Sequence, residues 1–165
     1  MTFSDGKAGP VFRKNTMSVF YGISEYKLDA KYRLFLPSSF RSALKKEKGG
    51  HFMLTTGLGG CLYLFLPSQW EALLANNMQP FKNADKEQER AFKRFFFGNA
   101  QEAPVDSAGR ILVGSAQREY AGLEKEAAVI GVGNKAEIWA LHRWKKYSAQ
   151  AITPNAGSFA KVYDI

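Results

Sequence analysis

The 165-residue sequence has one cysteine, Cys61, and two histidines, His51 and His142. A single cysteine excludes an intrachain disulfide framework and is typical of proteins in a reducing compartment. The two histidines are far from each other and from a second cysteine, so neither a zinc-type site nor a cysteine–histidine nucleophile is indicated. We therefore expect no metal, no cofactor, no small-molecule substrate and no enzymatic activity.

Long apolar runs are also absent. No stretch approaches the roughly 20 apolar residues that a bilayer-spanning helix needs, and residues 1–15 lack a charged-then-apolar signal pattern. Hydrophobic residues make up 45% of the chain and charged residues 23%, which is ordinary for a globular protein. We expect a cytoplasmic protein that does not associate with membranes.

Positive charge is concentrated near the N-terminus. The chain has a formal net charge of +8, and residues 1–50 hold ten Lys/Arg against four Asp/Glu, a net of +6. A basic surface attracts polyanions because binding releases condensed counterions. Charge alone indicates nucleic acid only weakly, since many basic proteins bind none.

The most informative feature is an internal repeat. Residues 28–36 (LDAKYRLFL) correspond to residues 105–113 (VDSAGRILV), and the offset between equivalent positions is constant, since 106 − 29 and 110 − 33 both give 77. Two glycine-containing segments, residues 57–60 and 131–134, also correspond, and their matched positions favour hairpin turns over phosphate-binding loops. A repeat fixes the architecture, because one supersecondary unit occurs twice.

The hydrophobic pattern predicts the order ββαββα in each unit, with an extra helix over residues 83–97 ended by Gly98 in a left-handed conformation. Residues 19–28 and 33–36 are predicted as a strand and its return strand. The predicted organisation is a flexible basic arm (1–17), a first repeat with the extra helix (18–98), a second repeat (99–149) and a loose C-terminal tail (150–165). Because short hairpins cannot close a sheet individually, we expect the two copies to complete one barrel together.

Each repeated phrase predicts a tight turn. Asp29 and Asp106 can accept backbone N–H bonds, Gly109 can supply a positive φ, and Arg33 and Arg110 begin the next strand beside an exposed tip. One interpretation is purely structural: the aspartates cap the turns and the arginines pair with them. The other is functional, because duplicated arginines can contact successive positions of a repeating polymer such as DNA through their bidentate fork.

The two phrases, the hairpins GLGGCLYLF and GVGNKAEIW, and the segment AFKRFFFGNA together resemble the MraZ family of bacterial transcriptional regulators. This family belongs to the SpoVT/AbrB-like group. The resemblance covers residues 18–147 and implies a mostly β, duplicated swapped-hairpin (double-split) barrel of AbrB type with flanking helices. It also implies binding to double-stranded DNA at closely spaced short direct repeats upstream of the division and cell-wall gene cluster, a nucleoid location, and assembly into a ring-shaped homo-oligomer.

Carried over by position, the resemblance places DNA contacts at Asp29 and Arg33 in the first phrase and at Asp106 and Arg110 in the second. We expect Lys27 and Lys31 to add sequence-independent attraction to DNA. Position 32 is Tyr where the family's first phrase usually has glycine, which predicts either a looser first turn or an added ring contact.

Two alternatives stay open. An antitoxin of the same fold group would usually have one copy of the motif and an acidic tail, whereas this chain has two copies and a tail with one lysine and one aspartate. An RNA-binding module could stack bases on the aromatic run Phe95–Phe97, although the helical spacing of Phe92, Phe95 and Phe96 favours core or subunit packing.

Overall fold

The computed structural model describes residues 19–77, 82–83 and 85–165. The predicted basic arm, residues 1–17, lies outside the described residues. Within them, the predicted order of elements is confirmed: each repeat has the order ββαββα, and an extra helix follows the first repeat.

The first repeat and the extra helix contain four strands and three helices: β1 (Ile23–Lys27), β2 (Arg33–Phe35), α1 (Ser38–Lys45), β3 (Phe52–Thr56), β4 (Leu62–Phe65), α2 (Pro67–Asn76) and α3 (Lys86–Phe96). The second repeat contains β5 (Gln101–Ala103), β6 (Arg110–Leu112), α4 (Ser115–Ala121), β7 (Glu126–Gly131), β8 (Ala136–Ala140) and α5 (Leu141–Tyr147). The strands are short, and the helices hold more residues than the strands. The fold is therefore mixed α/β with flanking helices, and the prediction of a mostly β protein is wrong in its proportions.

The strands form one six-stranded sheet in the order β1-β7-β8-β4-β3-β5 and a separate two-stranded ladder of β2 and β6. All pairs are antiparallel. The six-stranded sheet ends at β1 and β5, so the described strands do not close into a barrel by hydrogen bonding, and barrel closure stays a prediction.

Most strand pairs join one repeat to the other. β1 pairs with β7, β2 with β6, β3 with β5 and β4 with β8, whereas only β3–β4 and β7–β8 pair within a repeat. The prediction that residues 33–36 return along residues 19–28 is therefore wrong. The turn between β1 and β2 exists, but the two strands pair with different strands of the other repeat. This is possible because a duplicated chain offers each strand an equivalent partner in the other copy.

The predicted glycine hairpins are confirmed. The amide of Gly57 donates to the carbonyl of Cys61 at 2.8 Å, and Gly59 and Gly60 have φ of +85° and +81°. In the second repeat, Gly133 has φ of +92°. These are backbone conformations that glycine adopts without steric cost, so the residue type fixes where each chain reversal occurs.

The larger of two hydrophobic clusters in the described residues is a core shared by both repeats. Leu34 of β2 and Ile111 of β6 are fully buried side by side, and burying each such side chain contributes about 1.5–3 kcal/mol. The larger buried members of the same core are Phe20, Leu36, Phe40, Phe52, Leu54, Leu62, Leu64, Val113, Val129 and Ile138. Because strands and core are shared, neither repeat can bury its apolar face alone.

Two local predictions differ from the structure. The sequence predicts a loose C-terminal tail, but a π-helical turn (Ser148–Ile152), a 3-10 turn (Thr153–Asn155) and α6 (Ala156–Tyr163) continue from α5. Pro154 is compatible with this, because it lies at the start of its turn, where a proline amide is not required. Gly98, the residue expected to end α3 in a left-handed conformation, does not have a positive φ. Glycine is required there for a different reason, because a Cβ would collide with the carbonyl oxygen of Arg94.

Candidate nucleic-acid interface

The two repeated phrases fold into turns of the same geometry. In the first, Oδ1 of Asp29 accepts the amides of Lys31 and Arg33, each at 2.9 Å. In the second, Oδ1 of Asp106 accepts the amides of Ala108 and Arg110 at 3.0 and 2.9 Å. The predicted aspartate-capped turns are confirmed, and their identity shows that the duplication preserves the loop as well as the strands.

Each arginine forms an ion pair with the aspartate of its own turn. Arg33 Nε lies 2.6 Å from Asp29 Oδ2, and Arg110 Nε lies 2.9 Å from Asp106 Oδ2. The arginine side chains are 34% and 23% exposed, so they are half-buried and not fully exposed as expected. The structural interpretation of these residues is therefore confirmed, while their contact with DNA stays a prediction.

The hydrogen bonds also keep both carboxyl groups ionised. The backbone amide of Arg33, followed by its side chain, lowers the pKa of Asp29 against the opposing effect of partial burial. The backbone amide and side chain of Arg110 lower the pKa of Asp106 in the same way. At neutral pH each turn therefore presents a guanidinium anchored by a carboxylate, which fixes the direction of a long and otherwise flexible side chain.

Tyr32 gives the first turn the backbone conformation that Gly109 gives the second. Tyr32 has φ of +60° and Gly109 φ of +91°, and their amides donate to the carbonyls of Asp29 and Asp106 at 2.9 and 3.0 Å. The first turn is therefore no looser than the second. Of the two consequences predicted for position 32, the added ring contact is the one observed.

That contact involves a residue of the other repeat. The guanidinium of Arg118, on α4, lies 3.6 Å from the centre of the Tyr32 ring, and its Nη1 donates to the carbonyl of Val113 at 2.8 Å. In the second turn the equivalent residue is Arg41 of α1, which donates to the carbonyl of Leu36 at 3.2 Å. Arg41 and Arg118 are separated by the same 77 residues as the two phrases, so they are equivalent positions of the repeat.

Each turn therefore borders a groove whose far wall is a helix of the other repeat. The groove beside the first turn has a volume of about 680 Å³ and is bounded by α4. The groove beside the second has a volume of about 450 Å³ and is bounded by α1. The grooves differ at the position where the Tyr32 ring contacts Arg118, because the equivalent position of the second turn is Gly109, which has no ring.

Strands β2 and β6 place the two arginines on one face. Arg33 is opposite Leu112, and Phe35 is opposite Arg110. Directly opposed residues of an antiparallel ladder lie on the same side, so these four side chains share the face that Leu34 and Ile111 do not occupy. The arginine face therefore points away from the core.

The two predicted lysines lie on the surface near the first turn. Lys27 is the last residue of β1 and is exposed, and Lys31 is exposed within the turn itself. Neither forms an ion pair among the residues that the structure describes. Their positions are compatible with the sequence-independent attraction, which stays a prediction.

Comparison with known proteins is consistent with this duplicated arrangement. The family model "MraZ protein, putative antitoxin-like" matches the chain twice, over residues 19–95 and 96–161, with one aspartate–arginine turn in each match. The chain belongs to the MraZ family. It is 43% identical over 148 residues to the transcriptional regulator MraZ of Pelotomaculum thermopropionicum, covering 89% of this chain and 97% of that protein.

Two further MraZ relatives give the same result. The transcriptional regulator MraZ of Acetivibrio thermocellus is 44% identical over 131 residues, which cover 79% of this chain and 87% of the relative. That of Clostridium acetobutylicum is 39% identical over 139 residues, which cover 84% and 93%. The similarity therefore extends over both repeats and is not confined to the turns.

The aromatic run of this MraZ-family chain contacts other aromatic side chains of the protein, and Phe96 is its buried member. Phe96 is 4% exposed and stacks on Trp70 and Phe92, with ring centres 5.8 and 5.5 Å apart. Phe95 contacts Tyr120 edge-on at 5.5 Å. Of the predicted roles, core packing is the one observed for Phe96, and the rings that an RNA-binding module would need for stacking contact other side chains.

Two features are absent from the described part of the chain. No group of three or more histidine, cysteine, aspartate or glutamate side chains there could hold a metal ion. No helix there is long and apolar enough to cross a bilayer.

Proposed function

We propose that this protein is a DNA-binding transcriptional regulator. The relatives that it matches over most of their length are named transcriptional regulators. The observation that carries the proposal is the pair of matching turns, each presenting an arginine anchored by an aspartate, at the two ends of one two-stranded ladder. Arginine is the residue that most often makes specific contacts with guanine and phosphate.

The ligand we propose is double-stranded DNA containing closely spaced short direct repeats. The β2–β6 ladder is three residue pairs long, which corresponds to roughly 10 Å. Both turns of one chain therefore suit a single short site of a few base pairs. So few contacts give little affinity against a genome of competing sites, and several chains are needed to bind several repeats together.

A ring-shaped homo-oligomer would supply those chains. Strand β1 is at the edge of the six-stranded sheet. Its first residue, Ile23, is 58% exposed, and Val19 and Tyr21 just before it are 65% and 82% exposed. Exposed apolar side chains next to an open strand edge are typical of surfaces that pair with another chain. This edge supports self-association, and the ring itself follows from the resemblance noted in the sequence.

The remaining parts of the proposal concern architecture and cellular role. The exchange of strand partners between the repeats supports a swapped-hairpin arrangement, which we propose closes as an AbrB-type barrel through side-chain packing between the sheet and the ladder. We further propose that the protein acts on the division and cell-wall gene cluster, in the cytoplasm at the nucleoid. Genome-wide footprinting would place its binding sites directly.

The decisive experiment measures binding to the DNA upstream of the protein's own gene. Duplexes with one, two and three copies of the short repeat are titrated with the full chain while its mass is followed by light scattering. We expect affinity to rise steeply with the number of correctly spaced repeats. Equal affinity for one repeat and for three, or a monomer at micromolar concentration, would contradict the multivalent proposal.

A further inference from the structure

Two apolar side chains on the outward face of the β2–β6 ladder are partly exposed, and one of them, Phe35, also contacts the Tyr26 ring, with ring centres 6.5 Å apart. Leu34 and Ile111 point inward and are fully buried, whereas Phe35 and Leu112 are 42% and 56% exposed. A strand with one face in water normally alternates apolar and polar residues. On the outward face of the ladder, where polar residues are expected, the positions are occupied by the two arginines and by these two apolar residues.

The two residues are equivalents in the duplicated phrase, because 112 − 35 gives the same offset of 77. In the register of the ladder, Arg33 is opposite Leu112 and Phe35 is opposite Arg110. The guanidinium carbon of Arg110 lies 5.7 Å from the centre of the Phe35 ring. Each arginine is therefore accompanied on the same face by an exposed apolar side chain.

This arrangement matches the chemistry of the DNA major groove. The groove is wide enough for a two-stranded β-ribbon, and its floor carries one apolar group, the 5-methyl of thymine. A guanidinium beside an apolar side chain is complementary to a guanine or phosphate beside such a methyl. The charge of the arginine face suits the DNA, and its apolar residues suit the methyl groups.

A second copy of this chain fits the face less well. Stable protein interfaces bury about 800 Å² on each partner, and their centres are depleted in charge. Here the apolar part consists of two separate, half-exposed side chains flanked by Arg33, Arg110 and their aspartates. That is enough surface for contacts with methyl groups but too little for a subunit interface.

Given the proposed DNA binding, on which this inference rests, we propose that Phe35 and Leu112 pack against thymine methyl groups in the major groove and help to determine sequence preference. The arginines supply the polar contacts on either side. The recognised sequence should therefore contain thymine at the positions that face the ladder. Removing the methyl groups should weaken binding, while every hydrogen-bonding group of the DNA is left in place.

The test replaces thymine with uracil in the duplex from upstream of the protein's own gene, which removes only the methyl groups. We expect the full wild-type chain to bind the uracil duplex about fourfold more weakly for each methyl group that packs against the protein. This is the change in affinity that corresponds to burying one apolar carbon group. Leu112→Ala should bind the thymine duplex more weakly and lose the part of the discrimination that Leu112 contributes, while the part contributed by Phe35 remains. Leu112→Ile, which keeps the apolar volume, should retain both parts.

Val132→Ala provides the control, because Val132 is a 41% exposed apolar residue away from the ladder; it should discriminate as the wild type does. Circular dichroism verifies that each variant is folded, and light scattering gives its mass.

Equal wild-type affinity for both duplexes would overturn the methyl contact and leave DNA binding intact. Failure to bind the thymine duplex at all would instead overturn the proposed function. A change of mass in Leu112→Ala would assign the face to self-association and also contradict the inference.

Discussion

Arg110 Nη1 lies 3.4 Å from Asp29 Oδ2, so the arginine of the second turn reaches the aspartate of the first. The same oxygen accepts Arg33 Nε at 2.6 Å. Two guanidinium groups, one from each repeat, therefore share one carboxylate oxygen. The two turns form one electrostatic unit, and a change at Asp29 affects the orientation of both arginines.

The first prediction concerns the arginines themselves. Arg33→Ala and Arg110→Ala should each weaken binding to the upstream DNA by about 1–3 kcal/mol, the usual cost of losing a specific arginine contact. Lysine at either position should restore little, because it lacks the bidentate fork. Binding is measured by fluorescence anisotropy at fixed salt.

Lys161→Ala is the matched control, since it removes one positive charge from the exposed helix α6. It should leave the affinity nearly unchanged. Arg110→Ala should also lower the free energy of unfolding slightly more than Arg33→Ala, by about 0.5–1 kcal/mol at most, because Arg110 pairs with two aspartates. Wild-type affinity in both alanine variants would remove these residues from the DNA-binding site.

The second prediction concerns acid stability. Hydrogen bonds from Arg33 and Arg110 lower the pKa values of Asp29 and Asp106 in the folded chain. Their contribution to stability is therefore present above the unfolded value near pH 4 and is lost as pH falls through the lower folded values. Urea unfolding at pH 7, 4 and 3 should show this loss.

The double variant Asp29→Asn, Asp106→Asn tests the cause of that loss. Asparagine can still accept the backbone amides through its side-chain oxygen but carries no charge. The variant should be less stable than the wild type at pH 7, and the difference should shrink towards pH 3. A constant difference across this range would show that the two carboxylates do not titrate differently in the folded and unfolded chain.

The third prediction concerns Tyr32 and Arg118, which are in cation–π contact at 3.6 Å. A double-mutant cycle with Tyr32→Ala and Arg118→Met should give a coupling of about 0.5–1 kcal/mol, because the Tyr32 ring is partly exposed. Tyr32→Gly should recover part of the stability lost in Tyr32→Ala, since glycine adopts the positive φ without strain. A second cycle, with Arg41→Met in place of Arg118→Met, should give no coupling to Tyr32→Ala, because Arg41 borders the other turn.

The sequence predicted the turns because their requirements are local. An aspartate that caps its own turn and a glycine that supplies positive φ act within five residues, as Asp106 and Gly109 show. The order of elements followed from apolar periodicity for the same reason. Tyr32 is the exception, because a non-glycine residue there has a positive φ and its ring contacts Arg118 of the other repeat.

Strand partners could not be predicted in this way. The pattern of residues 33–36 states which side chains are buried but not which strand lies beside them, and β2 paired with its own duplicate β6. Arg41 and Arg118 were missed for the same reason, since each acts on a turn 68 or 86 residues away, as 109 − 41 and 118 − 32 give. Long-range pairing is decided by the shared core, which no local pattern describes.

The last prediction concerns Phe96, which is 4% exposed between Trp70 and Phe92. Truncating a buried phenylalanine costs about 3–5 kcal/mol, and Phe96→Asp would in addition bury an unpaired charge. We therefore expect Phe96→Asp to abolish cooperative unfolding rather than to separate folded subunits. Phe159→Asp is the control, because Phe159 lies on the exposed helix α6 and is 39% exposed; it should keep a wild-type circular dichroism spectrum. A folded, cooperatively unfolding Phe96→Asp chain with a smaller mass would instead place Phe96 at a subunit interface.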